Sequence, residues 1–509
     1  MLGCINFINL STAQATERAK EIGIRKSVGA FKYQLVFQFL TETIILTLLA
    51  AILSVLISPF LLVLFKDFIP PEITPSFIYK KNIFYFLSII VLVISLLAGL
   101  YPSFILTKFK PALVLKGQLL MGNTGKQNNN FRSLLTVLQF AIAQFFIIAT
   151  LVVGQQVHYS LNKDLGFKKD AIVFINLPFK GKNINANTKF VLLDKIKNLV
   201  GIEKTCLGSS PPSSQGRSIS SINYIQGTNN ILIDVEHKSG DSNFFQLYHL
   251  KLLAGRVSRQ SEKVVEYVIN ETCAKKFGFA KPEDAIGKML TGGMDEPEPI
   301  VGVMADFNTY STHLVIKPVM FSSNRNPSTL HLAFSKSAEG VITWQKTLST
   351  IEGYWKELYP GEPFEYQFFD ESIAAFYKKE TDTVKLLEWS SGLAIFISSL
   401  GLLGLVIFMA NQRTKEIGVR KVLGAKVSQI VFILSKDFIK LVLIALLIAT
   451  PLAYYWMHKW LQDFVYRINM PLWIFLLTGS STVCIAFITI SFQAVKAALM
   501  NPVKSLKAN

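Results

Sequence analysis

The chain has 509 residues, half of them hydrophobic, and a mean hydropathy of +0.38. This composition is too apolar for an ordinary soluble protein, and a charged fraction of 17% is too high for a chain that lies wholly in a membrane. We therefore expect several membrane-spanning helices and one soluble domain. The formal charge of +18 is typical of loops that face anionic lipid. No zinc-finger or RNA-binding motif accompanies this charge, so the sequence argues against nucleic-acid binding.

One pattern, R-x-K-E-I-G-[IV]-R-K-x-[VL]-G-A, occurs twice, at residues 18–30 and 413–425, with a constant offset of 395. We call these stretches the first and second signature segments. A repeat of this length indicates an internal duplication. Each segment follows an apolar stretch and precedes a long apolar helix pattern. The pattern therefore predicts a short basic amphipathic helix at the membrane surface between two spans.

Each signature segment places an acid four residues before a base, so that the two side chains share one helical face. The pairs are Glu21 with Arg25 and Glu416 with Arg420. The glycines at the ends of the segments, Gly29 and Gly424, predict a helix end or a sharp bend.

The signature, placed between membrane helices, resembles the FtsX-like, or MacB-like, permease family of ABC transporters. In that family this segment is the cytoplasmic loop that contacts the ATPase subunit. The resemblance implies that a separate cytoplasmic ATPase dimer binds ATP and that the chain carries no cofactor of its own. The residues implied for this contact are Arg18, Glu21, Gly23, Arg25, Lys26, Gly29, Arg413, Glu416, Gly418, Arg420, Lys421 and Gly424. The alternative is a basic helix that binds only anionic lipid headgroups.

The first permease unit occupies residues 1–116, with predicted spans at 44–65 and 83–106. Met1 aligns with Phe396, inside an apolar helix of the second copy, so the first copy starts in mid-helix. We expect that a native N-terminal portion with a further helix and soluble domain precedes it. A polar cytoplasmic linker follows at 117–130, and a transmembrane helix occupies 131–157.

Residues 158–385 alternate short β-rich runs with helix patterns, which predicts a soluble α+β domain. Four of its runs, in their order, resemble the extracytoplasmic domain of MacB-like permeases: 253–256, 268–272, 286–288 and 300–308. Asp306 and Asn308 in the last run are interpreted as loop caps. A disulfide between Cys206 and Cys273 stays open, since spacing alone cannot settle its geometry.

The second permease unit occupies 386–509, with predicted spans at 393–410, 441–456 and 472–492. The expected fold is thus a polytopic α-helical membrane protein of about six full spans and a partial one, with one extracytoplasmic α+β domain. Basic residues concentrate on the side of the signature segments and the C-terminal tail. The positive-inside rule places that side in the cytoplasm. The resemblance implies that the chain lies in the inner, or plasma, membrane.

Glu42 and Asp437 obey the same offset of 395 and lie near the cytoplasmic starts of two long helices. A carboxylate in hydrocarbon needs either a partner or the membrane interface. One interpretation is simple interfacial placement. The other is an ion pair with a basic residue of the signature helix, which would make helix and span move together.

The chain lacks a phosphate-binding G-x-x-x-x-G-K-[ST] loop, an H-E-x-x-H motif and a G-x-S-x-G motif. We therefore expect a non-enzymatic membrane permease whose motor is another subunit. The resemblance implies export or extraction of peptides, antibiotics or lipoproteins, and it leaves open an extracytoplasmic partner protein. The alternative is a membrane sensor or regulator that signals without transport. A membrane-anchored enzyme is disfavoured by the missing motifs.

Overall fold

The computed structural model describes residues 2–69, 73–74, 76, 80–108, 124–178, 187–226, 228–261, 264–292, 296–323, 327–335, 340–412 and 414–499. The chain divides into two compact units, which we describe separately. The helical unit comprises residues 1–154, 382–459 and 470–509, and the β-rich unit comprises residues 155–381 and 460–469. The segment 460–469 thus belongs with the soluble domain, although the sequence assigned it to the second permease copy.

Within the described residues, long helices dominate the parts of the chain that flank the β-rich segment, and the helices that follow the two signature segments start at positions 395 residues apart, Lys32 and Val427. The helices of these parts are α1 (Leu2–Ser27), α2 (Lys32–Leu64), α3 (Lys81–Lys108), α4 (Thr124–Asn162), α10 (Lys378–Gln412), α11 (Thr414–Val422), α12 (Val427–Leu461) and α13 (Leu472–Leu499). The first turns of α4 cover residues 124–130, which the sequence predicted as linker; residues 117–123 of that linker lie outside the described residues.

Five of the described helices are long and apolar enough to cross a membrane: Lys32–Leu64, Lys81–Leu100, Phe131–Asn162, Lys378–Asn411 and Leu472–Lys496. The remaining predicted span, 441–456, lies within α12, which is not among the five. The helix that contains this predicted span runs for 35 residues.

The β-rich unit contains two sheets. The smaller sheet has the order β11-β1-β10-β2 and is antiparallel throughout. The larger sheet has the order β5-β8-β6-β9-β4-β3-β7, with parallel pairs β4–β9 and β6–β8, and β7 also pairs with β8. The strands are β1 (Ile172–Asn176), β2 (Ile202–Gly208), β3 (Ser218–Gln226), β4 (Asn229–Ser239), β5 (Leu252–Gly255), β6 (Tyr267–Asn270), β7 (Met289–Gly292), β8 (Glu298–Met304), β9 (Val319–Ser322), β10 (Thr329–Phe334) and β11 (Tyr366–Phe368).

Short helices cover the two sheets and close the apolar cores. They are α5 (Thr188–Ile196), α6 (Asn243–Tyr248), α7 (Glu271–Lys276), α8 (Gly340–Leu358) and α9 (Phe369–Ala375). Trp355 of α8 is buried against the smaller sheet, while Phe244 and Tyr248 of α6 belong to a core shared with Phe321 of β9. The predicted α+β class of this domain is confirmed.

Two motifs that resembled MacB-like domains have a structural role here. The carboxylate of Asp306 accepts hydrogen bonds from Thr272 N (2.9 Å) and Thr272 Oγ1 (2.7 Å) at the first turn of α7. Asn270, the N-cap of that helix, accepts a hydrogen bond from Cys273 N at 3.0 Å. Asp306 is therefore a capping residue, as its loop position predicted. Cys206 and Cys273 are both free thiols in different apolar cores.

Candidate functional site: two matched signature segments

The two signature segments end in the same backbone turn. In the first, Ala30 N donates to Arg25 O (3.0 Å) and Gly29 N donates to Lys26 O (3.1 Å). In the second, Ala425 N donates to Arg420 O (2.9 Å) and Gly424 N donates to Lys421 O (3.1 Å). This hydrogen-bond pair defines a Schellman motif, whose central residue is left-handed. The φ angles of +102° at Gly29 and +89° at Gly424 meet that requirement, so both predicted helix ends are present.

The helix that follows each segment begins with the same cap. The side chain of Gln34 accepts a hydrogen bond from Phe31 N at 3.0 Å, and the side chain of Gln429 accepts one from Lys426 N at 3.1 Å. These residues again differ by 395. A residue that accepts this hydrogen bond three positions into a helix supplies half of a capping box. The duplicated unit is therefore a complete helix–turn–helix.

One isoleucine anchors each segment to the helix after the turn. Ile22 is 3% exposed and packs with Leu35 and Phe39 of α2. The matching Ile417 is 9% exposed and packs with Ile430 and Leu434 of α12. The glycine that follows each isoleucine is also buried. Burial of this one face leaves the charged face of each segment outward.

The outward face carries the two predicted ion pairs. Arg25 Nη2 lies 2.6 Å from Glu21 Oε1, and Arg420 Nη2 lies 2.7 Å from Glu416 Oε1. All four side chains are more than 40% exposed. Exposed pairs of this kind contribute at most about 1 kcal/mol to stability. Their repetition is thus better explained by the surface they present than by the stability of the helix.

Partial burial lowers the pKa of Lys26, and the charge of Lys32 lowers it further. Lys26 also makes an electrostatic or hydrogen-bond interaction of its own. The matching Lys421 is half-buried, like Lys26. The Arg18 and Lys20 positions lie within α1, but their side chains are not among the described ones, and Arg413 lies outside the described residues.

Sequence reasoning missed an exposed apolar pair in each segment. Ile24 is 49% and Val28 84% exposed, and at the matching positions Val419 is 47% and Leu423 80% exposed. Each pair is spaced i,i+4, so its members are neighbours on one helix face. The sequence does contain a signal for this pair: both copies of the charged repeat have an aliphatic residue at each of the two positions.

A cleft of about 520 Å³ opens beside the second segment. Its walls come from the C-terminal end of the segment and from the first turns of α12: Arg420, Ala425, Ser428, Gln429, Ile430, Phe432 and Ile433. One charged residue, Arg420, and the apolar residues Ile430, Phe432 and Ile433 are among those that line it.

Glu42 and Asp437 are both exposed, at matching places on α2 and α12. Each makes an electrostatic or hydrogen-bond interaction of its own. The ion pair with a signature residue stays a prediction. Within the described ranges, no group of three or more His, Cys, Asp or Glu side chains is arranged to hold a metal ion.

A second feature lies in the β-rich unit, where the segment 460–469 joins α12 to α13. Gln156 holds the segment with both ends of its amide: Nε2 donates to Tyr466 O (3.0 Å) and Oε1 accepts from Ile468 N (2.9 Å). Tyr466 N also donates to Thr312 O at 3.1 Å. Gln156 is fully buried. The segment is therefore docked by backbone hydrogen bonds that do not depend on its side chains.

Aromatic contacts complete this junction. The rings of Phe464 and His313 have centroids 4.0 Å apart, and the ammonium of Lys163 lies 2.9 Å from the Tyr466 ring centroid. Thr312 N donates to the hydroxyl of Tyr377 at 2.8 Å. Tyr377 directly precedes α10, and Lys163 directly follows α4. The contacts around the segment 460–469 thus include residues that adjoin the ends of α4 and α10 in the sequence.

Comparison with known proteins assigns both parts of the chain. The family model described as FtsX-like permease C-terminal matches residues 1–111 and 390–502, and the model described as MacB-like periplasmic core domain matches residues 133–338. The two ranges that match the FtsX-like permease model contain the two signature segments.

Curated relatives include macrolide export ATP-binding/permease proteins named MacB. The one from Salmonella choleraesuis is 23% identical over 338 residues, which is 62% of this chain and 48% of the relative. The one from Aggregatibacter actinomycetemcomitans is 36% identical over 217 residues, 40% of this chain and 32% of the relative. An uncharacterized ABC transporter permease of Bacillus subtilis, YvrN, is 33% identical over 116 residues, 21% of this chain and 26% of the relative. The match to the Salmonella choleraesuis protein thus spans about half of that relative's length, and the other two matches span less of theirs.

Among solved structures, the periplasmic region of MacB from Actinobacillus actinomycetemcomitans is similar at 12% identity and a TM-score of 0.29, covering 43% of this chain and 98% of that one. The extracellular domain of YknZ, a transporter from Gram-positive bacteria, is similar at 14% identity and a TM-score of 0.26, covering 38% of this chain and 97% of that one.

Proposed function

Because the chain belongs to the FtsX-like permeases that carry a MacB-like periplasmic core domain, we propose that it couples a separate ATPase to movements of that domain. The chain itself is an ABC transporter permease that spans the membrane and bears an extracytoplasmic domain. A cytoplasmic ATPase dimer binds the two signature segments and displaces them during ATP hydrolysis. The cargo class would be peptides, antibiotics or lipoproteins.

The observation that carries this proposal is the matched surface of the two segments. Both have the same turn, the same buried isoleucine, the same exposed ion pair and the same exposed aliphatic pair. An ATPase dimer offers two equivalent surfaces, and a duplicated permease must offer two equivalent surfaces in return. A lipid surface could take the basic residues and also Val28 and Leu423, which are at least 80% exposed. The identical turns and ion pairs of the two segments are what favour a pair of matched protein surfaces.

The route from the segments to the β-rich unit runs along the chain. Each segment is packed through its isoleucine onto the next long helix, so that α12 would follow any displacement of the second segment. The far end of α12 enters the segment 460–469, which Gln156 and Thr312 hold by three hydrogen bonds. A movement at the second segment would therefore reach the junction without passing through a flexible loop.

The test is co-purification of a tagged chain with its ATPase subunit from membranes. Val28→Asp with Leu423→Asp should abolish recovery of the ATPase, because each change places a charge in an apolar contact. Val200→Asp is the matched control, since Val200 of the β-rich unit is 83% exposed and aliphatic. Equal recovery of the ATPase with all three proteins would contradict the proposal.

A second experiment tests whether the ATPase recognises the charges of the ion pairs or whether these charges only stabilise the helix. Glu21→Lys with Glu416→Lys should lower ATPase association and turnover. The reversed pairs, made by adding Arg25→Glu and Arg420→Glu, restore both ion pairs with opposite polarity. Continued loss of turnover in the reversed protein indicates that the ATPase recognises the charges; recovery indicates a role in helix stability alone.

The alternative function is a sensor that signals a ligand state inward without transport. The hydrogen bonds between Gln156 and the segment 460–469 would transmit a movement toward the β-rich unit or away from it equally well. A reconstituted complex that hydrolyses ATP on ligand addition but moves no cargo would favour this second function.

A further inference from the structure

The duplicated helices α1 and α10 meet at equivalent positions. Asn6 of α1 and Gly401 of α10 differ by the repeat offset of 395, and they are in contact: a Cβ placed on Gly401 would lie 2.6 Å from Asn6 Oδ1. One turn further, a Cβ on Gly404 would lie 3.1 Å from Leu10 Cδ1. Leu10 thus meets the residue just before its own equivalent, Leu405. The two contacts advance in the same direction along both helices, and at Asn6 equivalent positions of the two copies meet, as near the axis of an isologous interface.

The two copies differ at the positions that meet. The first copy has Asn6 where the second copy has Gly401. Glycine lets a neighbouring helix approach closely, because it has no side chain to keep the backbones apart. The amide of Asn6 occupies the space that a side chain on Gly401 would need, since contacts shorter than 3.0 Å do not occur for a real Cβ. Asparagine in one copy thus fills a notch in the other.

The helix α4 locks this contact from the side. Gln139 is 2% exposed, and its Nε2 donates to Ile397 O at 3.3 Å and lies 3.0 Å from the Cβ position of Gly401. Near the other end of the contact, Arg132 Nη2 donates to Thr12 O at 2.9 Å, and its guanidinium lies 5.5 Å from the Phe408 ring centroid. Thr12 and Phe408 belong to α1 and α10 respectively. One helix therefore holds both copies together through side chains at two levels.

We infer that Asn6 and Gly401 form a complementary pair that makes the two copies recognise each other and not themselves. Two asparagines at this level would collide, and two glycines would leave an unfilled space and lose the amide contact. The Asn–Asn and Gly–Gly combinations are both less favourable than the Asn–Gly combination. This difference in free energy is what makes the pairing specific. The partner of each copy is consequently the other copy of the same chain. This pairing is independent of any ATPase.

The test is a substitution cycle in the full chain, read as the thermal midpoint of the detergent-purified protein. Gly401→Asn places asparagine in both copies and should lower the midpoint by about 1–3 °C, because overpacking costs about 1–3 kcal/mol and a chain of this length unfolds with an entropy of about 1 kcal/mol per degree. Asn6→Gly places glycine in both copies and should lower it less. The exchange, Asn6→Gly with Gly401→Asn, should recover part of the loss, because the mixed pair returns with its members swapped while Gln139 still crowds position 401.

Two further variants keep the test decisive if Gly401→Asn cannot be purified. Gly401→Ala should lower the midpoint in the native background and be tolerated in the Asn6→Gly background. Gly392→Ala in the same helix is the control, since nothing lies within 4 Å of the Cβ position there. If Gly401→Ala is as harmless as Gly392→Ala, or if the exchange recovers nothing, the inference is wrong. No ATPase enters these measurements, so they can fail or succeed separately from the proposed coupling.

Discussion

The ammonium of Lys238 lies 3.5 Å from Oε1 of Glu236, and both side chains are 1% exposed. Lys238 Nζ also donates to Pro211 O (2.9 Å), Ser214 Oγ (3.2 Å) and Ser210 Oγ (3.3 Å). Burial lowers the pKa of this lysine to about 8, an effect that the charge of Glu236 partly offsets. The lysine thus ties a serine- and proline-rich loop to β4 by a buried charge. The sequence alone gave this loop no role.

This relationship predicts an asymmetric response to substitution. Lys238→Met leaves the Glu236 carboxylate buried without a counter-charge and should cost about 3–5 kcal/mol of unfolding free energy. Lys238→Met with Glu236→Leu removes both charges and should recover most of that loss, since a buried pair contributes little against apolar replacements. Denaturant unfolding of the full chain, followed by a signal from the β-rich unit, measures both. Equal loss in the single and double variants would show that the loop tether, not the charge, is what matters.

His331 predicts a pH dependence of the β-rich unit. Its Nε2 donates to Ser209 O (2.8 Å), and its Nδ1 is hydrogen-bonded with the Tyr248 hydroxyl (2.8 Å). Complete burial lowers its pKa from 6.5 to about 3. Between these values the unfolded chain binds a proton that the folded domain excludes, so stability must fall as the pH falls from about 6.5 to about 3. His331→Gln should make the thermal midpoint depend less on pH across that window. An unchanged pH dependence would assign the effect to other groups.

Asn9 predicts a stabilising substitution inside the helical unit. It is 1% exposed, and neither its Oδ1 nor its Nδ2 has a hydrogen-bond partner among the described residues. A buried unsatisfied polar group costs about 1–3 kcal/mol. Asn9→Leu should therefore raise the thermal midpoint of the purified protein, and Ser398→Ala, which removes a buried unpartnered hydroxyl, should raise it less. A lower midpoint for Asn9→Leu would mean that its amide is satisfied, for instance by water.

The signature turns predict a local effect of alanine. At Gly29 and Gly424 nothing lies within 4 Å of the Cβ position, so an alanine there meets only backbone strain from positive φ, about 1–2 kcal/mol. Gly29→Ala and Gly424→Ala should speed amide hydrogen exchange in the signature helices without changing the β-rich unit. Gly353→Ala in α8, which has equal free space and a helical backbone, should not speed exchange. Unchanged exchange in the signature helices would mean that the Schellman turns do not limit their opening.

Sequence periodicity predicted the elements that local chemistry determines. The repeat located both signature helices, the i,i+4 rule located the ion pairs, and the glycines located the turns. The permease class and the α+β class of the soluble domain also followed from sequence, the first through its resemblance to a family.

Long-range placement could not be predicted in this way. The segment 460–469 joins the β-rich unit because Gln156, more than 300 residues earlier, binds its backbone. Glu236 and Lys238 follow the ordinary alternation of a strand, and nothing local indicates that both are buried. The contact of Asn6 with Gly401 was contained in the repeat offset, but only the helix packing brings the two positions together.

The most direct test of the coupling account is a photo-crosslinking measurement on intact membranes that contain the chain and its ATPase. A photoreactive phenylalanine analogue at position 28 or 423 should form a covalent adduct with the ATPase subunit, while the same analogue at position 200 should not. An adduct from position 200 and none from positions 28 and 423 would place the signature segments away from the motor and contradict the account.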